Sequence, residues 1–598
     1  MRNFLNHRKT SFCLILLFMI LLGCKDKAND NPRANDEVRK NKQKQEWWKE
    51  AVVYQIYPRS FKDSDGDGIG DLRGLISKVD YIKSLNIDAI WLNPIFSSPN
   101  YDNGYDVSNF REIMEDFGDM EDFDTLINTL HSRGIKLVLD LVPNHTSSEH
   151  RWFKEARKSR NNPYRDYYHW WNAEDGEPPV RPSFHDESAW TYDKNTNSYY
   201  LHYFAHSQPD LNWENPKVRQ EIYDVLKFWF EKGVDGFRMD VIPLISKDTT
   251  FPAIPEKYGK NFLRYYAEGP HLHEYLKEMN KEVLSKYDVL TVGEAYGVTK
   301  ETAPLFVADD RKKLQMIYHF DGMNLDYVPG QDYKTPKPEG FKLSEFKKLY
   351  SQWDSVFVNQ GWPTIYLGNH DQGRMVTRWG NDSKEFRAIS SKMLTTFLLS
   401  MRGTPYYYFG DELGMNNIKF DNIEDYKDTR TLDKYDQIKS AGGDLKHYIE
   451  TQKIAGRDNA RTPFQWDSTS HAGFTSVMPW LKVNPNFINV NVAREEGNPK
   501  SPLNYFRKMV EVRKDNPVLI YGDYKLLKPE DEQVYAYVRE KDKVKVLILL
   551  NFSEKQAAIE LDELESIEGE LINNYSSIDI ENNKAVLKPY QALVLSIR

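Results

Sequence analysis

The sequence predicts an α/β protein: a (β/α)8 TIM barrel with an inserted small domain after its third strand and a C-terminal antiparallel β-sandwich. Three observations predict this. From about residue 47 onward, short β-rich runs alternate with longer amphipathic stretches. One connection in that alternation is far too long for a barrel loop, and from residue 521 the alternation gives way to period-two strands with no helix between them.

The strands read at residues 52–57, 89–93, 136–142, 236–241, 289–294, 315–320, 363–368 and 405–409. Eight parallel strands joined by helices fit a closed barrel better than an open sheet. Helical stretches lie at 72–85, 120–133, 217–232 and 272–286; in the last, Leu272, Tyr275, Leu276 and Met279 recur at helical spacing. The barrel takes residues 46–145 and 208–520. Between its third strand and the next helix lie about 70 residues, well beyond a usual βα loop. They are rich in Trp, Tyr and His, so residues 146–207 read as a small domain roofing a site. In 521–598 the runs 534–537, 544–551 and 585–597 alternate as strands of a sandwich.

Arg2, Arg8 and Lys9 precede an apolar run over 11–23 that is too short for a membrane span, so residues 1–24 read as a signal peptide. Leu21-Leu22-Gly23-Cys24 resembles the lipobox of bacterial lipoproteins, which makes Cys24 the candidate for lipidation. That implies attachment to the membrane of a bacterial cell envelope by an N-terminal lipid; the alternative is an ordinary secretory peptide containing a cysteine. Residues 25–45 are Lys, Asp and Asn with almost nothing apolar, a disordered tether. Cys13 and Cys24 are the only cysteines, so the folded remainder has no disulfide and no thiolate metal site. Net charge is 80 − 89 = −9 with no long basic tract, which disfavours a nucleic-acid partner. The aromatic content of 14% suits either a well-filled core or sugar-stacking surfaces, and composition does not separate the two.

Active sites of such barrels form at the C-terminal ends of the strands. The polar residues there are Asp140, Asn144 and His145 after strand three, Arg238 and Asp240 on strand four, Glu294 on strand five, and His370 and Asp371 after strand seven. Singly, each has a bland reading as a helix cap or a satisfied polar group. Together they bring several carboxylates to one mouth. Packed like charges raise the pKa of at least one member, and one acid kept protonated beside one kept ionised is what glycoside hydrolysis needs.

The segments Asp140-Leu-Val-Pro-Asn144-His145, Gly236-Phe-Arg238-Met-Asp240, Gly293-Glu294-Ala295 and Gly368-Asn369-His370-Asp371 resemble, in order, the four signature regions of the α-amylase family. Gln208-Pro-Asp210-Leu-Asn212 resembles a fifth, found in its oligo-1,6-glucosidase branch, and the likeness runs over residues 46–598, including Arg457-Asp458-Asn-Ala-Arg461. The resemblance implies a retaining, exo-acting α-glucosidase on short α-glucans. Asp240 would be the nucleophile, Glu294 the acid/base and Asp371 the transition-state stabiliser, with Arg238 holding Asp240 ionised. His145, His370, Asp102 and Arg457 would grip the non-reducing glucose, Tyr105 would stack beneath it, and Phe204 and Gln208 would complete the pocket. Val241 matches a position where oligo-1,6-glucosidases carry valine and α-1,4-preferring relatives threonine, which points to α-1,6 links. Two positions depart from the pattern: His185 stands where a phenylalanine is usual, and Pro243 where an asparagine is common.

Asp63-Ser-Asp65-Gly-Asp67-Gly-Ile69-Gly-Asp71 resembles the start of an EF-hand loop, but Gly74 replaces the closing glutamate. Its own chemistry leaves either an acidic turn or a cation site open. The family resemblance implies structural calcium held by Asp63, Asp65, Asp67, the Ile69 carbonyl and Asp71, and no organic cofactor. On the same scaffold an α-1,4-glucosidase or transglucosylase remains open, and from another class a non-catalytic glucan-binding lipoprotein.

Overall fold

The computed structural model describes residues 47–598 except 259, 260, 332 and 359. The expected signal peptide, Cys24 and the tether lie outside the described residues. No described helix is long and apolar enough to cross a membrane.

The eight barrel strands are β1 (Val53–Ile56), β2 (Ala89–Leu92), β3 (Lys136–Leu141), β4 (Gly236–Met239), β5 (Leu290–Glu294), β6 (Met316–Tyr318), β7 (Thr364–Ile365) and β8 (Thr404–Tyr408). They pair in parallel in the order β6-β5-β4-β3-β2-β1-β8-β7, and nearly every strand residue is buried, as a sheet covered by helices demands. Between β6 and β7 no ladder forms. Side chains bridge the gap instead: Thr364 Oγ1 donates to Ile317 O at 3.0 Å and the Tyr366 hydroxyl to His319 O at 2.6 Å. Gly236 opens β4 because a Cβ there would stand 2.3 Å from Leu290 O of the neighbouring strand.

Helix boundaries follow their caps. Asp119 and Asp122 form a capping box at the start of Met120–Ser132, and Asn215 with Pro216 starts Pro216–Glu231. The helix expected over 72–85 is two, Leu72–Ile76 and Val79–Ser84, broken where Ser77 Oγ bonds back to Gly74 O at 2.6 Å. The one expected over 272–286 ends as α-helix at Glu282 and tightens to a 3-10 turn.

Residues after β3 build a three-stranded antiparallel sheet from Trp170–Asn172, Ser198–Leu201 and Trp190–Asp193. Where the chain leaves and re-enters the barrel, His145 pairs with Asp210 and Tyr168 with Leu211. A second long excursion, residues 409–501 after β8, carries helices Thr429–Ser440 and Leu445–Ala455 within the span expected as barrel.

At the C-terminus a five-stranded and a three-stranded antiparallel sheet face each other over Val534, Ala536, Leu547, Leu549, Ile559, Leu587, Leu593 and Leu595. The strand expected over 585–597 is two, Lys584–Leu587 and Ala592–Ile597, in different sheets. Pro589 and the left-handed Tyr590 (φ 51°) turn the chain between them. Buried Arg513 donates to Leu399 O at 2.9 Å and Met401 O at 3.0 Å, and Arg539 to Ser400 O at 2.5 Å. Both serve the open carbonyl end of helix Arg387–Ser400.

Candidate active site

The centre of the site is an arginine. Arg238 on β4 is 1% exposed, and each of its guanidinium nitrogens is engaged: Nη1 on Asp140 at 2.8 Å and Asp240 at 2.6 Å, Nη2 on Glu294 at 2.7 Å, and Nε on the Tyr318 hydroxyl at 2.8 Å. Strand register explains the convergence, since Arg238 lies opposite Asp140 on β3 and Val292 on β5. A planar fork of five donors can join three carboxylates from three strands; a lysine could not.

The chain departs from the expected strand just at the nucleophile. Strand β4 ends at Met239. Asp240 still donates its N–H to Leu141 O at 2.8 Å, but Val241 adopts a left-handed conformation (φ 35°, ψ 39°), a rare and strained state for a β-branched residue. The strain has a visible product: the Val241 N–H donates to Glu294 Oε2 at 2.9 Å.

Burial raises the Asp240 carboxyl to about 6; Arg238 and a hydrogen bond with Glu294 pull it down, and Asp140 pushes it up. Burial likewise raises Glu294 well above the usual range, Arg238 lowers it, and the charges of Asp240 and Asp371 raise it further. Of this coupled pair Glu294 is the one that keeps its proton. Asp371 goes the other way. Burial would raise it, but the cations around it hold it far below the carboxylate range. Its neighbour His370 is pushed by burial down to about 3 and is neutral, so the cations that matter are Arg457 at 3.1 Å and Arg461 at 3.0 Å. Of Asp240, Glu294 and Asp371, then, one carboxyl is protonated and two are ionised.

These groups line a cavity of about 100 Å³ together with Asp102, Tyr105, His145, Phe204, Gln208, Val241 and Arg457. Arg238 and His370 lie against its floor, where Tyr105 stacks on His370 with centroids 5.4 Å apart. Charge bounds one side of it: Arg457 reaches Asp428 at 2.5 Å, Asp371 at 3.1 Å and Asp102 at 3.6 Å. Asp102 Oδ1, the oxygen facing Arg457, is buried with no hydrogen-bond partner among the described residues, so it has acceptor capacity left inside a polar pocket. A second cavity of about 250 Å³ adjoins it, sharing Phe184, His185, Lys334, Arg430 and Arg457 with it and lined further by Tyr333 and residues of the 428–457 excursion.

Several contributors escaped the sequence reading. Asp140 stands at a strand end and Arg461 in the Arg457-Asp458-Asn-Ala-Arg461 segment, and neither has a role that the sequence assigns. Asp428, Arg430, Lys334, Phe184, Tyr296 and Phe320 come from loops and strand ends with no periodic or spacing signal. His185 does face the cavity, and burial pushes its ring down to about 4. Phe184 beside it stacks on Phe204 at 4.9 Å, so an aromatic wall is retained. Pro243 lies in the 3-10 turn Ile242–Leu244, away from the cavity lining.

In the loop after β1, carboxylate oxygens of Asp63, Asp65 and Asp71 come within 4.8 Å of one another. Asp67 is not in that group; its Oδ1 accepts from Ile69 N–H at 2.7 Å. Asp63 also orders the loop, accepting from Asp65, Gly66 and Gly68 N–H groups and from Thr475 Oγ1.

The family described as alpha amylase, catalytic domain, matches residues 55–522, and the alpha-amylase SusG C-terminal domain matches residues 534–594. An oligo-1,6-glucosidase of Parageobacillus thermoglucosidasius is 48% identical over 560 residues, covering 92% of this chain and 99% of that protein. A trehalose-6-phosphate hydrolase of Bacillus subtilis is 41% identical over 92% of this chain and 98% of its own. Among solved structures, the trehalulose synthase of Pseudomonas mesoacidophila MX-45 superposes with a TM-score of 0.89 at 43% identity, covering 92% of this chain and 99% of that one. The isomaltulose synthase of Klebsiella sp. LX3 does so with 0.89 at 44%, covering 92% and 99%. Eight parallel strands, three carboxyls drawn to one arginine and a match through the catalytic domain lead to one conclusion: this chain belongs to the α-amylase family of glycoside hydrolases.

Proposed function

We propose that the chain is a retaining, exo-acting α-glucosidase that removes glucose from the non-reducing end of short α-glucans, with a preference for α-1,6 links. The observation that carries this reading is the charge-walled pocket around the paired carboxyls. Asp102 and Arg457, the latter paired with Asp428, set charge along one wall of it, and Asp240 and Glu294 meet at the ends of adjacent strands through one shared guanidinium. Oligo-1,6-glucosidases among the relatives support the class and the linkage.

Asp240 carboxylate attacks the anomeric carbon as Glu294 gives its proton to the departing glycosidic oxygen; the C–O bond to the aglycone breaks and a β-glucosyl ester forms. Glu294, now ionised, takes a proton from water, whose oxygen displaces Asp240. Two inversions leave the α configuration. Asp371, held ionised by Arg457 and Arg461, faces the positive charge that develops on the ring. Proton NMR of isomaltose hydrolysis should show α-glucose first; β-glucose first would overturn the mechanism. Transfer to a sugar acceptor would use the same ester, and products from sucrose distinguish it.

Two further proposals accompany this one. Calcium fits Asp63, Asp65 and Asp71, because oxygens up to 4.8 Å apart suit an ion about 2.4 Å from each; it would brace the loop, remote from the chemistry. A lipid on Cys24 would anchor the protein to the cell-envelope membrane, a reading that rests on residues 11–24 alone. Cys24→Ser should leave the membrane fraction or stay unprocessed, and unchanged fractionation would reject the anchor.

A further inference from the structure

Lys247 is 3% exposed, in the loop following the nucleophile, and it touches no part of the pocket. Its ammonium donates to Asn144 Oδ1 at 2.6 Å and forms an ion pair with Asp210 Oδ2 at 3.1 Å. Asn144 and Asp210 are both fully buried. A buried lysine leaving its charge in the core is costly unless it is paired, so this placement calls for an explanation.

The hydrogen-bond directions supply one. A lysine ammonium has only donors, so the Asn144 atom facing it must be the carbonyl oxygen. The amide nitrogen then points the other way, 3.2 Å from Asp210 Oδ1 and 3.2 Å from His145 Nδ1. Asp210 Oδ1 is itself held as an acceptor by the Tyr203 N–H at 3.2 Å. His145 Nδ1 must therefore accept, which puts the imidazole hydrogen on Nε2, where Tyr105 O receives it at 3.1 Å. A second arrangement competes with this one, although it would leave the Tyr105 carbonyl facing a bare His145 Nε2 at 3.1 Å. The Ala205 N–H donates to Gln208 Oε1, so Gln208 presents its NH2, which lies 3.2 Å from Asp102 Oδ2 and 3.2 Å from His145 Nε2. That NH2 could donate to a bare Nε2 if His145 carried its hydrogen on Nδ1 and Asn144 were turned over. Turning Asn144 over would set its NH2 against the lysine ammonium and its oxygen against Asp210.

We infer that Lys247, with Asp210, is a positioning residue that selects the Nε2–H tautomer of the pocket histidine His145 through the amide of Asn144, and so sets which hydrogen-bonding group the glucose meets. The same contacts pin the segment that re-enters the barrel from the inserted domain, through Asp210, to the loop after the nucleophile. The inference rests on the glucosidase reading of the pocket, but its central claim is a protonation pattern of the free protein.

Lys247→Met alone strands Asp210 as a buried unpaired charge and could unfold the chain. The pair Lys247→Met/Asp210→Asn removes both charges together. Its test is 15N NMR of histidine-labelled full-length protein, with the His145 signals identified by their loss in His145→Gln. The native chain should show protonated Nε2 and bare Nδ1 at His145; the double variant should show a mixture or the reverse. On p-nitrophenyl α-glucoside the double variant should lose up to about 100-fold in kcat/KM while its melting curve stays cooperative, because misplacing one gripping group is felt in the transition state. A native spectrum with the hydrogen on Nδ1, or a double variant with unchanged His145 signals, would overturn the inference. A native chain that releases no glucose would overturn the glucosidase reading and leave the spectrum to be judged by itself.

Discussion

Replacing Glu294 with glutamine isolates the proton from everything else that residue does. At rest Glu294 is neutral, because burial and the charges of Asp240 and Asp371 keep it protonated, so the amide matches the native charge state. The amide oxygen can still accept from Val241 N–H at 2.9 Å and Arg238 Nη2 at 2.7 Å, so the melting temperature should barely move. What disappears is the donor to the leaving oxygen and, after it, the base for water. A positioned general acid contributes about 10²- to 10⁴-fold, or roughly 3–5 kcal/mol of barrier, and kcat/KM on isomaltose should fall by that factor. p-Nitrophenyl α-glucoside, whose leaving group needs little protonation, should lose less in the first step and accumulate the glucosyl ester on Asp240. The pH profile supplies an independent check. The native enzyme needs Asp240 ionised, so activity falls on the acid side through about 6, and it needs Glu294 protonated, so activity falls on the alkaline side as pH rises through the raised Glu294 value. Glu294→Gln should keep the acid limb and lose the alkaline one. A variant that retains more than about a tenth of the native kcat/KM on isomaltose, or that keeps the alkaline limb, would refute the assignment.

Three other outcomes follow from the structure. Val241→Thr should narrow the isomaltose-to-maltose ratio of kcat/KM by about 10-fold, since the side chain faces the cavity beside Glu294 and a hydroxyl there adds a polar partner for an α-1,4 acceptor; an unchanged ratio shows that this valine does not decide linkage. Chelation should lower the melting temperature, and Asp65→Ala should abolish that response without altering kcat; a native chain indifferent to chelator has no stabilising ion. Glu495, buried in the 492–503 region, is raised by burial to about 8, so its contribution to stability is full below the unfolded value of about 4.3 and is lost as pH rises toward 8. Glu495→Gln should therefore gain melting temperature relative to native more at pH 8 than at pH 5, and equal differences at both would refute the shift.

The sequence by itself determined the barrel and the chemistry-bearing residues, for a physical reason in each case. Strands buried on both faces must be near-continuously apolar, and all eight expected runs fall on observed barrel strands. Asp240, Glu294 and Asp371 sit at strand ends, where a barrel can only point them at one mouth. What local pattern could not decide was where elements stop and what long-range neighbours they meet. The turn at Tyr590 that splits the last strand, and the break at Ser77, depend on which sheet or helix the next residues join. The left-handed Val241 is held by Glu294, a residue on another strand, and no propensity of valine foretells it. Asp428, Arg461 and Lys334 reach the pocket from excursions whose docking no periodicity encodes. The protonation states were decided by tertiary structure alone: three carboxyls of nearly equal intrinsic acidity become one acid and two anions only once burial and Arg238, Arg457 and Arg461 surround them unequally.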